Sequence, residues 1–144
     1  MKDLNAIFDL GYSYETGENR KKSIRRAKKL YKVAAEQGHA NAQCRLGIVY
    51  IEEIGIFKKV LAVKWFRKAD DQGNAKAHVF LGYCYLSGKG VKENAKEAER
   101  YFNIGAKMNQ SYSTYSLGKF YNYEYRLGLY KDLEEAINKL KKSC

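Results

Sequence analysis

Four Leu-Gly dipeptides, Leu10-Gly11, Leu46-Gly47, Leu81-Gly82 and Leu117-Gly118, follow one another at intervals of 36, 35 and 36 residues. A small residue stands four positions before each of these leucines (Ala6, Ala42, Ala77, Ser113) and a tyrosine four positions after (Tyr14, Tyr50, Tyr85, Tyr121). Spacings of i, i+4, i+5 and i+8 put all the marked residues on one face of an α-helix. A helical unit repeated at this period predicts stacked helical hairpins.

Each unit also carries an alanine in its second half (Ala27, Ala62, Ala98, Ala136), followed at helical spacing by large side chains such as Tyr31, Phe66 and Phe102. Glycine inside a helix costs about 1 kcal/mol relative to alanine, so its recurrence needs a packing reason. The expected reason is a close crossing in which the glycine of the first helix meets the alanine of the second, with the aromatic residues filling the space beside it.

The expected first helices span 4–15, 40–53, 75–87 and 111–124, and the second helices 21–37, 58–72, 94–108 and 132–142. Asn94 followed by Glu97, and Asp132 followed by Glu135, predict reciprocal capping at two helix starts. Gly38 and Gly73 predict left-handed helix ends, with Asn109 in the same place one unit on. The 144 residues leave room for a single domain, 1–144, of four repeats at about 4–38, 39–73, 74–109 and 110–144.

Three stretches carry a family resemblance: Ala34-Ala35-Glu36-Gln37-Gly38-His39-Ala40-Asn41-Ala42-Gln43, Trp65-Phe66-Arg67-Lys68-Ala69 through Gln72-Gly73, and Leu81-Gly82-Tyr83-Cys84-Tyr85-Leu86-Ser87-Gly88-Lys89-Gly90-Val91. The sequence resembles the Sel1-like repeat family, relatives of the tetratricopeptide repeats, in its K-A-A-x-Q-G-x-x-x-A link and L-G-x-x-Y-x-x-G-x-G-V turn. Pentatricopeptide repeats have a similar period but lack both texts. The second unit departs by one residue fewer near Gly55, and the fourth lacks the glycine turn. The resemblance implies an all-α, right-handed α-solenoid of four antiparallel hairpins. It also implies an adaptor, scaffold or regulatory role, commonly in bacteria.

Little in the sequence suggests catalysis. His39 lies in the Gln-Gly link and reads as a surface loop residue, and His78 reads as an ordinary helical polar position; neither has companions at metal-ligand spacing. Gly88-Lys89-Gly90 follows a helix, not a strand, so it reads as a hairpin turn and not a phosphate loop. The chain is therefore expected to be a non-enzyme without catalytic residues, cofactor or metal. Cys44, Cys84 and Cys144 occupy unrelated repeat positions, which predicts free thiols and a reducing, cytoplasmic compartment. The first fifteen residues carry Asp3, Asp9 and Glu15 where an export signal needs an apolar run, and no stretch is apolar enough for a membrane span.

By analogy with tetratricopeptide geometry, the concave face should collect the positions two before and two after each leucine: Phe8, Cys44, Val79 and Tyr115, and Tyr12, Ile48, Tyr83 and Lys119. Such an apolar strip with tyrosine hydroxyls suits a peptide or helix held by aromatic anchors. Packing of Phe8, Cys44 and Val79 between hairpins is the alternative.

The net charge of +11 is concentrated in Arg20, Lys21, Lys22, Arg25, Arg26, Lys28, Lys29 and Lys32, eight cations without an intervening acid. Ile24, Ala27, Tyr31 and Ala34 or Ala35 should face the stack, leaving Arg25, Lys28, Lys29 and Lys32 as an exposed stripe. That stripe is either a solvated face or a steering patch for an acidic partner. The functional expectation is a protein-interaction module that binds a peptide or helix on the concave face. The alternatives are an immunity-type inhibitor of a cognate toxin, and nucleic-acid binding through the basic helix 20–32. Self-association through the N-terminal repeat is a further expectation.

Overall fold

A computed structural model of the chain describes residues 3–108, the side chains of 106–108 excepted. Its elements are helices throughout: α1 (Leu4–Thr16), α2 (Ile24–Glu36), α3 (Ala40–Glu52), α4 (Ile56–Asp71), α5 (Ala75–Ser87) and α6 (Ala95–Met108). They pair as α1/α2, α3/α4 and α5/α6, and successive pairs join through α2/α3 and α4/α5, the nearest-neighbour packing of a solenoid. The proposed fourth unit, with its capping at Asp132, lies outside the described residues, as do Asn109, Tyr115, Lys119 and Cys144.

The first helices end within a residue of the bounds read from the sequence. The second helices differ more. α2 begins at Ile24 and not at 21, because Ser23 is extended and its hydroxyl accepts from the Arg26 amide at 3.2 Å. Its backbone amide meanwhile donates to the Tyr14 carbonyl at 2.9 Å, and Asn94 repeats this bond to the Tyr85 carbonyl at 2.8 Å. The turn of the second hairpin is shorter and lacks that bond. There the Lys59 ammonium satisfies carbonyls at the end of α3, on Ile51 within the helix and, at 2.6 Å, on Glu53 just beyond it.

Asn94 caps α6 through the Glu97 amide at 3.1 Å, but Glu97 does not complete the expected reciprocal arrangement: its carboxylate takes Arg100 at 2.9 Å instead. Gly38 and Gly73 do close their helices at φ of 95° and 83°, where a side chain would be strained.

The core corrects the expected glycine–alanine crossing. A Cβ placed on Gly11, Gly47 or Gly82 would lie 2.9, 2.6 and 2.7 Å from the rings of Tyr31, Phe66 and Phe102 respectively. Each glycine therefore receives an aromatic ring from the second helix of its own hairpin. Ala27, Ala62 and Ala98, one turn before those rings, are fully buried. An aromatic ring buries far more apolar area than an alanine methyl, which offsets the propensity cost of the glycine.

Between hairpins a polar ladder sets the register. Gln43, buried, donates to the Ala35 carbonyl at 3.1 Å and accepts from the Gln72 amide at 2.9 Å. Asn74 caps α5 and also donates to Asn41 at 2.9 Å. His39 takes the equivalent place one unit earlier. Its Nδ1 accepts from the Ala42 amide at 3.1 Å, which leaves Nε2 to donate to Asn5 Oδ1 at 2.8 Å. His39 is thus the half-buried cap of α3, stacked on Phe8, and not a loose surface residue. His78 is likewise buried and not an ordinary polar position: its Nδ1 lies 2.6 Å from Asp70 and its ring packs on Tyr101.

Candidate functional site

The first helices of the three described hairpins share one face, and a groove of about 420 Å³ crosses it. Its walls are Phe8, Asp9 and Tyr12 from α1, Asn41, Cys44 and Arg45 from α3, and Asn74 and Lys76 at the start of α5. The stacking of three helices places these residues together although they span almost half the sequence.

Tyr12 is 38% exposed and its ring carries the Arg45 guanidinium at 4.9 Å. That guanidinium also lies 3.8 Å from Glu15, whose carboxylate accepts the Tyr31 hydroxyl at 2.6 Å. Burial and then the Glu15 hydrogen bond push the Tyr31 phenol well above its ordinary range. Burial and the neighbouring Arg45 charge hold the Lys76 ammonium below its usual value. Arg45 and Lys76 thus share the groove with one carboxylate, Asp9, two amide side chains and a tyrosine face, a net-positive arrangement suited to a carboxylate with apolar neighbours.

The rows expected from sequence divide. Phe8 and Tyr12 line the groove, and Cys44 reaches it from a buried position. Ile48 and Tyr83 are half-buried, with Tyr83 edge-on to Phe102 at 5.0 Å. Val79 is a correction: it is completely buried and lines no groove. An apolar residue in an inner hairpin gains more by packing than by facing water. The groove also takes the positions one and five before the leucine, where Asp9, Arg45, Asn41 and Lys76 lie. Sequence reasoning missed them; the change from Asn5 and Asn41 to Lys76 is visible in one row, whereas the row Asp9, Arg45, Phe80 has no regularity to break.

The basic segment is also only partly a stripe. Arg25, Lys29 and Lys32 are exposed on α2. Lys28 is not: it turns toward the α3–α4 hairpin, pairs with Glu53 at 2.6 Å and covers the Tyr50 ring at 4.7 Å. Arg26 and Arg20 flank the Tyr14 ring at 5.7 and 4.9 Å, and the Arg26 hydrogen bond, then that of Arg20, holds the phenol below its ordinary range. The tyrosines of the repeat thereby collect several of these cations. Ile24, expected to face the stack, stays 43% exposed.

Burial pushes the Cys44 and Cys84 thiols up to about 11, and both are free. Among the described residues no three His, Cys, Asp or Glu side chains gather as metal ligands, and no helix is long and apolar enough to cross a membrane.

Stacked two-helix units with this interlock define an all-α solenoid of the tetratricopeptide-like class. A family model, the Sel1 repeat, matches residues 4–39, 40–74, 75–110 and 111–144, and the chain belongs to that family. Sel1 repeats as a family mediate protein–protein interaction. Two solved structures are similar. One, an SLR-fold protective antigen present in uropathogenic Escherichia coli strains, is 34% identical with a TM-score of 0.77 over 92% of this chain and 28% of the antigen. The other, a Sel1 repeat protein from Oxalobacter formigenes, is 36% identical with a TM-score of 0.69 over 94% of this chain and 56% of that protein. The chain thus spans about a quarter and just over half of their lengths. No curated protein matches the sequence.

Proposed function

We infer that this Sel1 repeat chain is a non-catalytic adaptor that captures a segment of a partner protein along the α1–α3–α5 groove. The observation that carries this reading is the convergence of Arg45 and Lys76 beside the exposed face of Tyr12. The ligand that fits is an extended or helical peptide with a carboxylate for the two cations and an apolar side chain against Tyr12 and Phe8. The exposed Arg25, Lys29 and Lys32 would steer such an acidic segment without forming its main contacts. The free, buried thiols fit a reducing compartment, cytoplasmic in this reading.

The test immobilises the whole chain and compares proteins retained from the native host by wild type, Tyr12→Ala, Arg45→Glu and the surface control Lys64→Glu. A partner held by wild type and the control, and lost from both groove variants, supports the reading. With that partner, Tyr12→Ala should act on the dissociation rate, and charge reversal at Arg25 and Lys29 on association. Equal retention by all four proteins contradicts it.

A further inference from the structure

The second hairpin carries a feature that its groove does not use. Where the first and third hairpins turn through polar residues (Glu18-Asn19-Arg20 and Lys89-Gly90), the second turns through Glu53-Ile54-Gly55 and enters α4 on Ile56-Phe57. Ile54 is 99% exposed, Ile56 81%, Phe57 78% and Val60 52%. Ile56, Phe57 and Val60 lie along the first two turns of α4, with Ile54 just ahead of them. These side chains project from the solenoid; at such exposures they line no concavity.

Elements of three hairpins that meet at this turn carry exposed cations. Glu53, at its base, is held by Lys28 at 2.6 Å and by Lys58 at 3.5 Å. Partial burial raises the Glu53 carboxyl, but the Lys28 hydrogen bond and the two ammonium charges outweigh it and leave the group below the usual carboxylate range. The carboxylate therefore stays ionised, and with two ammonium groups against its one charge the cluster remains net positive. On α2, whose Lys28 reaches Glu53, Arg25, Lys29 and Lys32 are exposed. The third turn packs directly against α4: a Cβ on Gly90 would collide with the Lys59 carbonyl and lie 2.8 Å from Val63, so exposed Lys89 and Lys92 belong to the same edge. Glu18, Glu52 and Glu93 are the remaining acids of the three turns, well outnumbered by their cations.

We propose that this turn edge docks on an anionic phospholipid bilayer, with Ile54, Ile56, Phe57 and Val60 inserted at the boundary of headgroups and acyl chains and the lysines and arginines against the headgroups. A bilayer surface accepts a projecting apolar tip without shape complementarity, and peripheral binding grows with both inserted apolar area and attraction to anionic lipid. Lysine stems also lie along apolar surface while their ammonium groups stay in water. A second copy of this chain is the poorer occupant, because face-to-face contact would bring two cationic rims together. The docked edge leaves the α1–α3–α5 face available, so the solenoid would present its partner groove at a membrane surface.

The experiment is co-sedimentation of the full chain with vesicles of phosphatidylcholine alone or mixed with phosphatidylserine. Wild type should partition onto the mixed vesicles, weakly onto the neutral ones, and less as salt rises. Ile56→Ser/Phe57→Ser should lower partitioning by about tenfold or more, and Lys29→Glu/Lys32→Glu by about fivefold per charge. All four positions are exposed, and unchanged melting curves would establish folding. Phe57→Trp should show a blue-shifted emission with mixed vesicles beyond the signal of Trp65. Tyr12→Ala and Arg45→Glu should bind vesicles as wild type does, so failure of the groove reading would leave this result untouched. Absence of sedimentation with phosphatidylserine vesicles at low salt would overturn the proposal. So would undiminished binding of the Ile56→Ser/Phe57→Ser protein, or loss from that protein of a captured host protein while vesicle binding persists.

Discussion

Gly47 of α3 lies so close to Phe66 of α4 that a methyl group on it would sit 2.6 Å from the ring. The same relationship links Gly82 to Phe102 and Gly11 to Tyr31, all three rings being fully buried. The glycine inside each first helix is therefore a socket, and the ring one turn after each buried alanine is the plug. Alanine at Gly47 or Gly82 would recover about 1 kcal/mol of helix propensity but overpack a closed core at about 1–3 kcal/mol. Urea melts should show both variants less stable than wild type; a stabilised variant would show that the ring has room to move.

Gln43 spans two hairpins from a buried position, accepting from Gln72 while donating to the Ala35 carbonyl. Gln43→Leu removes both bonds, but the Ala35 carbonyl keeps the Gly38 amide and the Gln72 amide keeps the Gly38 carbonyl, so the cost should be that of ordinary hydrogen bonds, about 0.5–1.5 kcal/mol. Gln72→Ala, on an exposed residue, should cost less. The order of the two midpoints in chemical denaturation tests whether the buried rung or the exposed one sets the register.

Acid should weaken the second hairpin through Glu53. Its folded pKa is depressed relative to the unfolded chain, so its stabilising contribution is present above the ordinary carboxylate range near 4.3 and disappears as pH falls through the lower folded value. Glu53→Gln should be less stable at neutral pH by about 0.5 kcal/mol and should lose less stability than wild type on acidification. Parallel pH profiles would show that the Lys28 and Lys58 contacts contribute nothing measurable.

The thiols of Cys44 and Cys84, pushed up to about 11 by burial, should be nearly inert to an aromatic disulfide reagent at neutral pH. In a Cys144→Ser background, denaturant should release both at once. Rapid reaction of either in the native protein would mean that its hairpin opens readily.

The sequence period placed six helices within about three residues, because a 3.6-residue apolar pattern and its glycine ends are local signals. The plug-and-socket pairing was not local: Gly47 and Phe66 are nineteen residues apart, and nothing in their spacing says whether a ring or a methyl fills the gap. The start of α2 was misread because lysine and arginine are good helix formers, which hid the cap at Ser23. The groove was half legible. Phe8 and Tyr12 follow from the repeat frame, whereas Arg45 and Lys76 depend on how far each first helix is rotated about its axis, which packing against the second helix decides. The expectation of a surface loop residue at His39 and an ordinary helical polar residue at His78 fails because their partners Asn5 and Asp70 belong to neighbouring helices and meet them only in the stack.

A double-mutant cycle between Gly47→Ala and Phe66→Leu tests the interlock most directly. If the ring occupies the glycine's place, removing it should relieve the added methyl, so the two changes should couple by about 1 kcal/mol or more in urea unfolding, the double variant being more stable than the sum of the single effects. Additive costs, with no coupling beyond error, would contradict the account of how these hairpins hold together.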